Sequence, residues 1–315
     1  MNRRSFLKST VAAGALALAA RPGFAADEIT ILGSVPSLSF PFFVHMLNEI
    51  KAEAEAQGVG LIESDGQNSA PKQTGDIEAA LVQGVKAIVI SPLDVNALAP
   101  AVEQAVQAGV PVVTIDRRVD GVDGILAHVG ADNAKGGEAQ AEAIIAAFPD
   151  GATIFHLQGQ PGAGPAIDRN KGVHNVLDPV KDKYQIVFEQ TANFARAEAL
   201  SVTEAGLTAN GKPDVIVCAN DDMALGAAEA CKAAGYTDVK IYGFDALPEA
   251  LVAVRDGLLA GTVEQFPGEQ SRTAVKIAVA KARDGKDPEE TLVLLTPIVI
   301  GKDNLDKAER IGETS

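Results

Sequence analysis

Tryptophan is absent, and aromatic side chains of all kinds make up only 4% of the 315 residues. The 11 phenylalanines are few enough that their positions carry information. Cysteine occurs twice, at Cys218 and Cys231. Nothing in that spacing enforces contact, so two buried free thiols are expected rather than a disulfide. The four histidines, His45, His128, His156 and His174, show no metal-ligand spacing. Missing too are a GxSxG elbow, an HExxH pair and a Ser-His-Asp set. Gly159-Gln-Pro-Gly162-Ala-Gly164 has GxxGxG spacing, which is neither GxGxxG nor a Walker loop, and reads as a sharp turn from strand to helix. No metal and no cofactor is expected. Carboxylates abound, so composition leaves glycosidase-type pairs open, but no pair is singled out.

Positive charge is also scarce: 27 basic residues face 42 acidic ones. Arg3, Arg4, Lys8 and Arg21 all lie in the first 25 residues, which contain no acid. That segment has a twin arginine followed by Phe6 and Leu7, a short Ala-rich apolar run over 9–20, and small residues at Gly23 and Ala25. The run is too short to span a bilayer comfortably. It reads as a twin-arginine export signal over residues 1–25, removed on maturation, which places the protein in the periplasm. Loss of its four basic residues leaves 23 against 42 and a net charge of −19. Nucleic acid and anionic membrane surfaces are thereby poor partners.

What is present is alternation. Strand-like runs at 29–33, 60–63, 87–91, 112–115 and 125–129 are separated by helix-like segments at 41–57, 71–83 and up to 109, the last capped by Asp94. A second series follows. Its strands fall at 152–157, 184–191, 215–219, 240–244 and 261–265, and its helices at 132–148, 165–177, 196–209, 222–234, 248–256 and 267–282, before an extended segment at 292–300. The pattern predicts α/β architecture: two doubly wound parallel-sheet lobes with no flexible tether between them.

Open α/β sheets bind ligands at the carboxyl ends of their strands. Phe40, Phe42 and Phe43 follow the first strand, and Asp116 and Arg117 end the fourth. In the second series the corresponding positions hold Arg169, Asn193-Phe194, Asn220-Asp221-Asp222, Asp245 and Gln265. Carboxylates accept from vicinal hydroxyls, guanidinium groups donate in a fixed fork, amides do both, and Phe faces cover sugar C–H bonds. That set suits a small neutral polyhydroxylated ligand held between two lobes. Local alternatives stand beside it. Asn220 or Asp221 can serve as a helix cap, Phe42 and Phe43 can be core, and Asp116 and Arg117 can form a loop ion pair.

At these positions the chain resembles the periplasmic sugar-binding proteins of ABC importers, closest to the ribose-binding group of type I periplasmic binding proteins. The motifs are Pro41-Phe42-Phe43-Val44, Ile115-Asp116-Arg117, Leu157-Gln158-Gly159, Ala192-Asn193-Phe194, Ala219-Asn220-Asp221-Asp222-Met223, Gly243-Phe244-Asp245 and Thr262-Val263-Glu264-Gln265. The resemblance spans almost all of residues 27–301. It implies two lobes, 27–131 with 266–294 and 132–265 with 295–315, joined by a three-segment hinge near 130–132, 264–266 and 294–296. It implies ligand contacts at Phe42, Phe43, Asp116, Arg117, Arg169, Phe194, Asn220, Asp245 and Gln265, a monomer, and an inner-membrane ABC permease as partner. Where ribose binders place an Asn before the Pro-Phe-Phe, this chain has Phe40. A lost amide and a gained ring favour a ligand smaller than ribopyranose or lacking one hydroxyl, with ribose itself as the alternative. The function implied is capture and delivery of a pentose-like sugar or polyol without bond chemistry. The rival roles are a ligand carrier for a chemoreceptor or sensor kinase and a secreted sugar-modifying enzyme.

Overall fold

A strand buried on both faces anchors the first half of the chain: in Val112–Ile115 every side chain is inaccessible. The computed structural model describes residues 29–314, so the export-signal reading of 1–25 lies outside the described residues. In chain order the first half contains β1 (Thr30–Val35), α1 (Pro41–Ala56), β2 (Gly60–Asp65), α2 (Ala70–Gln83), β3 (Ala87–Ile90), α3 (Ala99–Gln107), β4 (Val112–Ile115) and β5 (Ala127–Ala131). The second contains α4 (Asn133–Ala147), β6 (Ala152–Gln158), α5 (Gly164–Leu177), β7 (Tyr184–Thr191), α6 (Arg196–Asn210), β8 (Val215–Cys218) and α7 (Asp221–Ala233). It continues through β9 (Lys240–Tyr242), α8 (Pro248–Asp256), β10 (Thr262–Glu264), α9 (Pro267–Asp284), β11 (Leu292–Leu295) and β12 (Ile298–Ile300). Short 3₁₀ turns over Lys302–Lys307 and Ile311–Glu313 close the chain.

Helices α1, α2, α3, α5, α8 and α9 open with Pro in the first turn, where its fixed φ suits the helix and its missing N–H costs nothing. Asp132 caps α4 through the Lys135 N–H, as a short polar side chain before a helix does.

All strand pairs of the two main sheets are parallel. One sheet runs β11-β5-β4-β3-β1-β2 and the other β7-β6-β8-β9. Each places its first strand second from the edge of its own βα series, so both wind outward in two directions from the same relative position. That reversal creates a crevice at the carboxyl ends of the strands, and the two crevices face one another. The chain passes between the sheets after β5, after β10 and after β11, because α9 packs on α1 and on β3 to β5 while β12 pairs antiparallel with β10.

Two expectations need correction. Residues 292–300 are not one extended element. β11 joins β5 in the first sheet, and β12 joins β10 beside the second, with Thr296 and Pro297 between them. Asp94 caps a turn rather than α3: its Oδ1 accepts from the N–H groups of Asn96 and Ala97, and the helix starts later, at Ala99. Cys218 and Cys231 are buried free thiols.

Candidate functional site

Phe40, Phe42, Phe43, Asp116, Arg117, Arg169, Phe194, Asn220, Asp245 and Gln265 line one cavity together with Pro165. Phe40 and all nine positions that the family resemblance implied as ligand contacts are there. The cavity sits between the two sheets. The Phe residues come from the start of α1, and Asp116 and Arg117 follow β4. Arg169 lies on α5, Phe194 follows β7, Asn220 precedes α7, and Asp245 and Gln265 follow β9 and β10.

Four charges are buried here. Asp116, Arg117, Arg169 and Asp245 are each at most 5% exposed. Arg117 Nε lies 3.8 Å from Asp116 Oδ2, and Arg169 Nη1 lies 3.3 Å from Asp245 Oδ1. Each ion is also tied to its own lobe. Ser91 donates to Asp116 at 3.1 Å, and Arg117 Nη1 donates to the Leu93 carbonyl at 2.9 Å. Arg169 donates from Nε to Asn133 Oδ1 at 2.8 Å and from Nη1 to the Ala219 carbonyl at 2.6 Å, and its guanidinium lies 3.5 Å from the Phe244 ring centre. Arg117 stands between the rings of Phe43 and Phe194, 5.1 and 5.7 Å from their centres.

Burial dominates the titration of this cluster. It raises the Asp116 carboxyl against the pull of Arg117 and Arg169. It pushes Asp245 up to about 7 despite Arg169, and it lowers Arg117 to about 10. Ions buried this deeply are kept in place by their pairing and by the hydrogen bonds to each lobe.

Arg117 Nε and Gln265 Oε1 are buried without a hydrogen-bond partner. One is a donor and the other an acceptor, and both belong to cavity residues. Gln265 Nε2 is already committed to Asp245 Oδ1 at 2.6 Å, which fixes the amide's orientation.

The backbone is strained at the same places. Asp116, Phe194 and Asp245 have φ of 56°, 61° and 108°, a region that side chains other than glycine seldom occupy. These conformations turn each residue off its strand end and into the cavity.

Local roles account for some of the sequence candidates. Asn220 does cap α7: its Oδ1 accepts from the Met223 N–H while its Nδ2 donates to the Phe194 carbonyl. It lines the cavity as well. Asn193, Asp221 and Asp222 do not line it. Asn193 donates to Glu198, and Asp221 accepts from Thr262 and the Leu247 N–H. The sequence reading missed Pro165 and the supports Ser91, Asn133 and Phe244. Asn133 and Phe244 stood beside recognised strand ends, and that proximity was the available signal. Among the lining residues there is no serine, threonine, cysteine, histidine or lysine.

The Gly159–Gly164 loop works at the rim. The Gly162 carbonyl accepts from the Val95 N–H of the opposite lobe at 3.0 Å. A Cβ on Gly162 would lie 1.9 Å from Asp94 Oδ2 and would have to push that carboxylate aside, and the residue's φ of 84° itself favours glycine.

Residues 31–287 match the family described as periplasmic binding protein domain. The chain is 41% identical over 253 residues to the ribose import binding protein of Bacillus subtilis, covering 80% of this chain and 81% of that protein. It is 32% identical over 301 residues to the D-apiose import binding protein of Actinobacillus succinogenes, covering 94% and 96%. Among solved structures, the Caulobacter myo-inositol binding protein bound to myo-inositol is similar with a TM-score of 0.86 and 43% identity, covering 90% of this chain and 97% of that one.

Proposed function

The chain belongs to the periplasmic binding protein family, and from that premise we propose that it captures a small sugar or cyclic polyol between its lobes and delivers it to an ABC importer. The observation that carries this reading is the convergence of two buried Asp–Arg pairs, two amides and four Phe rings on one cavity, with a donor and an acceptor left unpaired. Ionised carboxylates accept from hydroxyls, and the paired guanidinium groups donate back to hydroxyl oxygens. The rings supply apolar faces. Relatives named for ribose, D-apiose and myo-inositol binding support the ligand class.

Phe40 bears on the choice within that class. It precedes α1 with no side-chain cap bond and packs edge-on against Phe43, centres 6.3 Å apart. A ring there gives the ligand shape and no hydrogen bond. The ligand therefore has one polar contact fewer at this wall than an amide would provide.

Residues 1–25 serve as a twin-arginine export signal in this reading, and the mature protein is periplasmic and monomeric. Its lobes are 27–131 with 266–294 and 132–265 with 295–315. Burial of both carboxylates against guanidinium groups supports a binder over an enzyme, since neither is free to act as a nucleophile toward a water-accessible bond.

Calorimetry with D-ribose, D-apiose, erythritol, xylitol and myo-inositol tests the proposal. One member is expected to bind far more tightly than the rest and to be recovered unchanged after prolonged incubation. Binding of none, or conversion of the bound sugar, would overturn it.

A further inference from the structure

At the β7 edge of the second sheet, and outside the cavity lining, His156, His174 and Glu189 bring one donor atom each to within 4.8 Å of the others. They come from three elements: β6, α5 and β7. The two histidines are 18 positions apart in the chain, which hides the pairing from any local spacing rule. Glu189 Oε1 lies 3.0 Å from His156 Nδ1 and 2.8 Å from His174 Nε2. We propose that this cluster is a binding site for a late first-row divalent cation of the Zn²⁺ class, independent of the sugar cavity.

Three observations carry it. The first is register. The pairing of β6 with β7 shifts between Ile154 and Phe155, so that His156 stands opposite Glu189. An unshifted ladder would set Phe188 there instead. A bulge that re-aims a side chain is a device found beside functional sites. The second is support. His174 Nδ1 donates to Asp178 Oδ1 at 3.0 Å, and Gln158 Nε2 holds the Glu189 carboxylate while also donating to Asn170 Oδ1 at 3.0 Å. A carboxylate behind a histidine is the outer-shell arrangement that orients metal-bound imidazole. The third is access. His156 is buried, but His174 and Glu189 are about 30% exposed and line a surface groove. That leaves one side open for a water as fourth ligand.

A tetrahedral ion with bonds of about 2.0–2.1 Å needs donors about 3.3 Å apart. Glu189 already meets that spacing to each histidine within about half an ångström, and rotation of the His174 ring closes the remainder. Two imidazoles with one carboxylate select Zn²⁺, Ni²⁺ or Cu²⁺ over the all-oxygen preferences of Mg²⁺ and Ca²⁺. A bound ion would tie α5, which carries Arg169, to β6 and β7.

The test uses tag-free mature protein, ZnCl₂ as probe and MgCl₂ as control. Calorimetry is expected to show uptake of a single Zn²⁺ per chain, with a Zn²⁺-dependent rise in melting temperature. His174→Ala and Glu189→Gln should each weaken uptake by at least about 100-fold, and Asp178→Asn by about 10-fold. Co²⁺ should give the intense visible bands of a tetrahedral site in the wild type and not in His174→Ala. Asp178→Asn alters only an exposed outer partner, so its effect reads the site even if the other variants fold poorly. Failure of the wild type to bind at millimolar Zn²⁺, equal binding by His174→Ala, or an equal response to MgCl₂ would overturn the proposal.

Discussion

At the scale of single residues, Asp245 is the most informative group in the cavity. Burial raises its carboxyl to about 7, and Arg169 and Gln265 hold its Oδ1 in place. On the proposed function a ligand hydroxyl donates to the ionised form, so protonation opposes binding. Affinity is expected to fall by up to about tenfold per pH unit below pH 7, checked by calorimetry across pH. The shut fold by itself responds with the opposite sign. A carboxyl raised above its unfolded value contributes stability that is complete below the unfolded pKa and is lost as pH rises through about 7. The ligand-induced rise in melting temperature should therefore grow from pH 5 to pH 8. Asp245→Asn keeps the shape and removes the charge. It should weaken binding by about 1.4–2.8 kcal/mol, that is 10- to 100-fold, and flatten the pH profile.

At the scale of elements, the loops after β3 and β6 and the strand leading into α9 decide how the lobes meet. Gly162 is the tightest point, with φ of 84° and room for a Cβ only if the Asp94 carboxylate is pushed aside. Gly162→Ala should weaken ligand binding by about 10-fold or more, because the clash exists only when the lobes are shut. Ligand-free stability should drop by only the left-handed backbone cost, about 1–2 kcal/mol in urea titration. At the hinge, Glu264 accepts from the N–H groups of Gln265, Phe266 and Glu309, at 2.8, 2.6 and 2.8 Å. It joins the end of β10, the left-handed Phe266 and the C-terminal turns. Glu264→Ala leaves three N–H groups without that acceptor and should cost about 1–3 kcal/mol in the same titration.

At the scale of the whole molecule, the lobes touch along a rim outside the cavity. Arg118 pairs with Asp168, Gln160 donates to Asn68 at 3.0 Å, and Val95 bonds Gly162. The Arg118 and Asp168 side chains are 35% and 29% exposed, so water screens their attraction. A double-mutant cycle on Arg118→Ala and Asp168→Ala should give a coupling below about 1 kcal/mol in ligand affinity, shrinking with added salt. On the proposed function a ligand engages residues of both lobes at once and supplies the larger share of the closing energy. Small-angle scattering should accordingly show a smaller radius of gyration on adding the ligand. An unchanged radius would show that the lobes stay shut without it.

The sequence by itself determined the βα alternation, both parallel sheets and most of the cavity-lining residues, though not Pro165. Those properties are local: buried strands read as apolar runs, and ligand-facing groups come just after them. Family motifs then selected Asp245 and excluded Asp221, two carboxylates that periodicity cannot tell apart. Only the tertiary structure decided that Asp221 turns inward to Thr262, that 292–300 is shared between two sheets, and that His156, His174 and Glu189 meet. Each of these depends on a register or a crossing that joins residues distant in the chain. Such pairings are chosen by the packing of whole lobes, and no short window of sequence contains both partners.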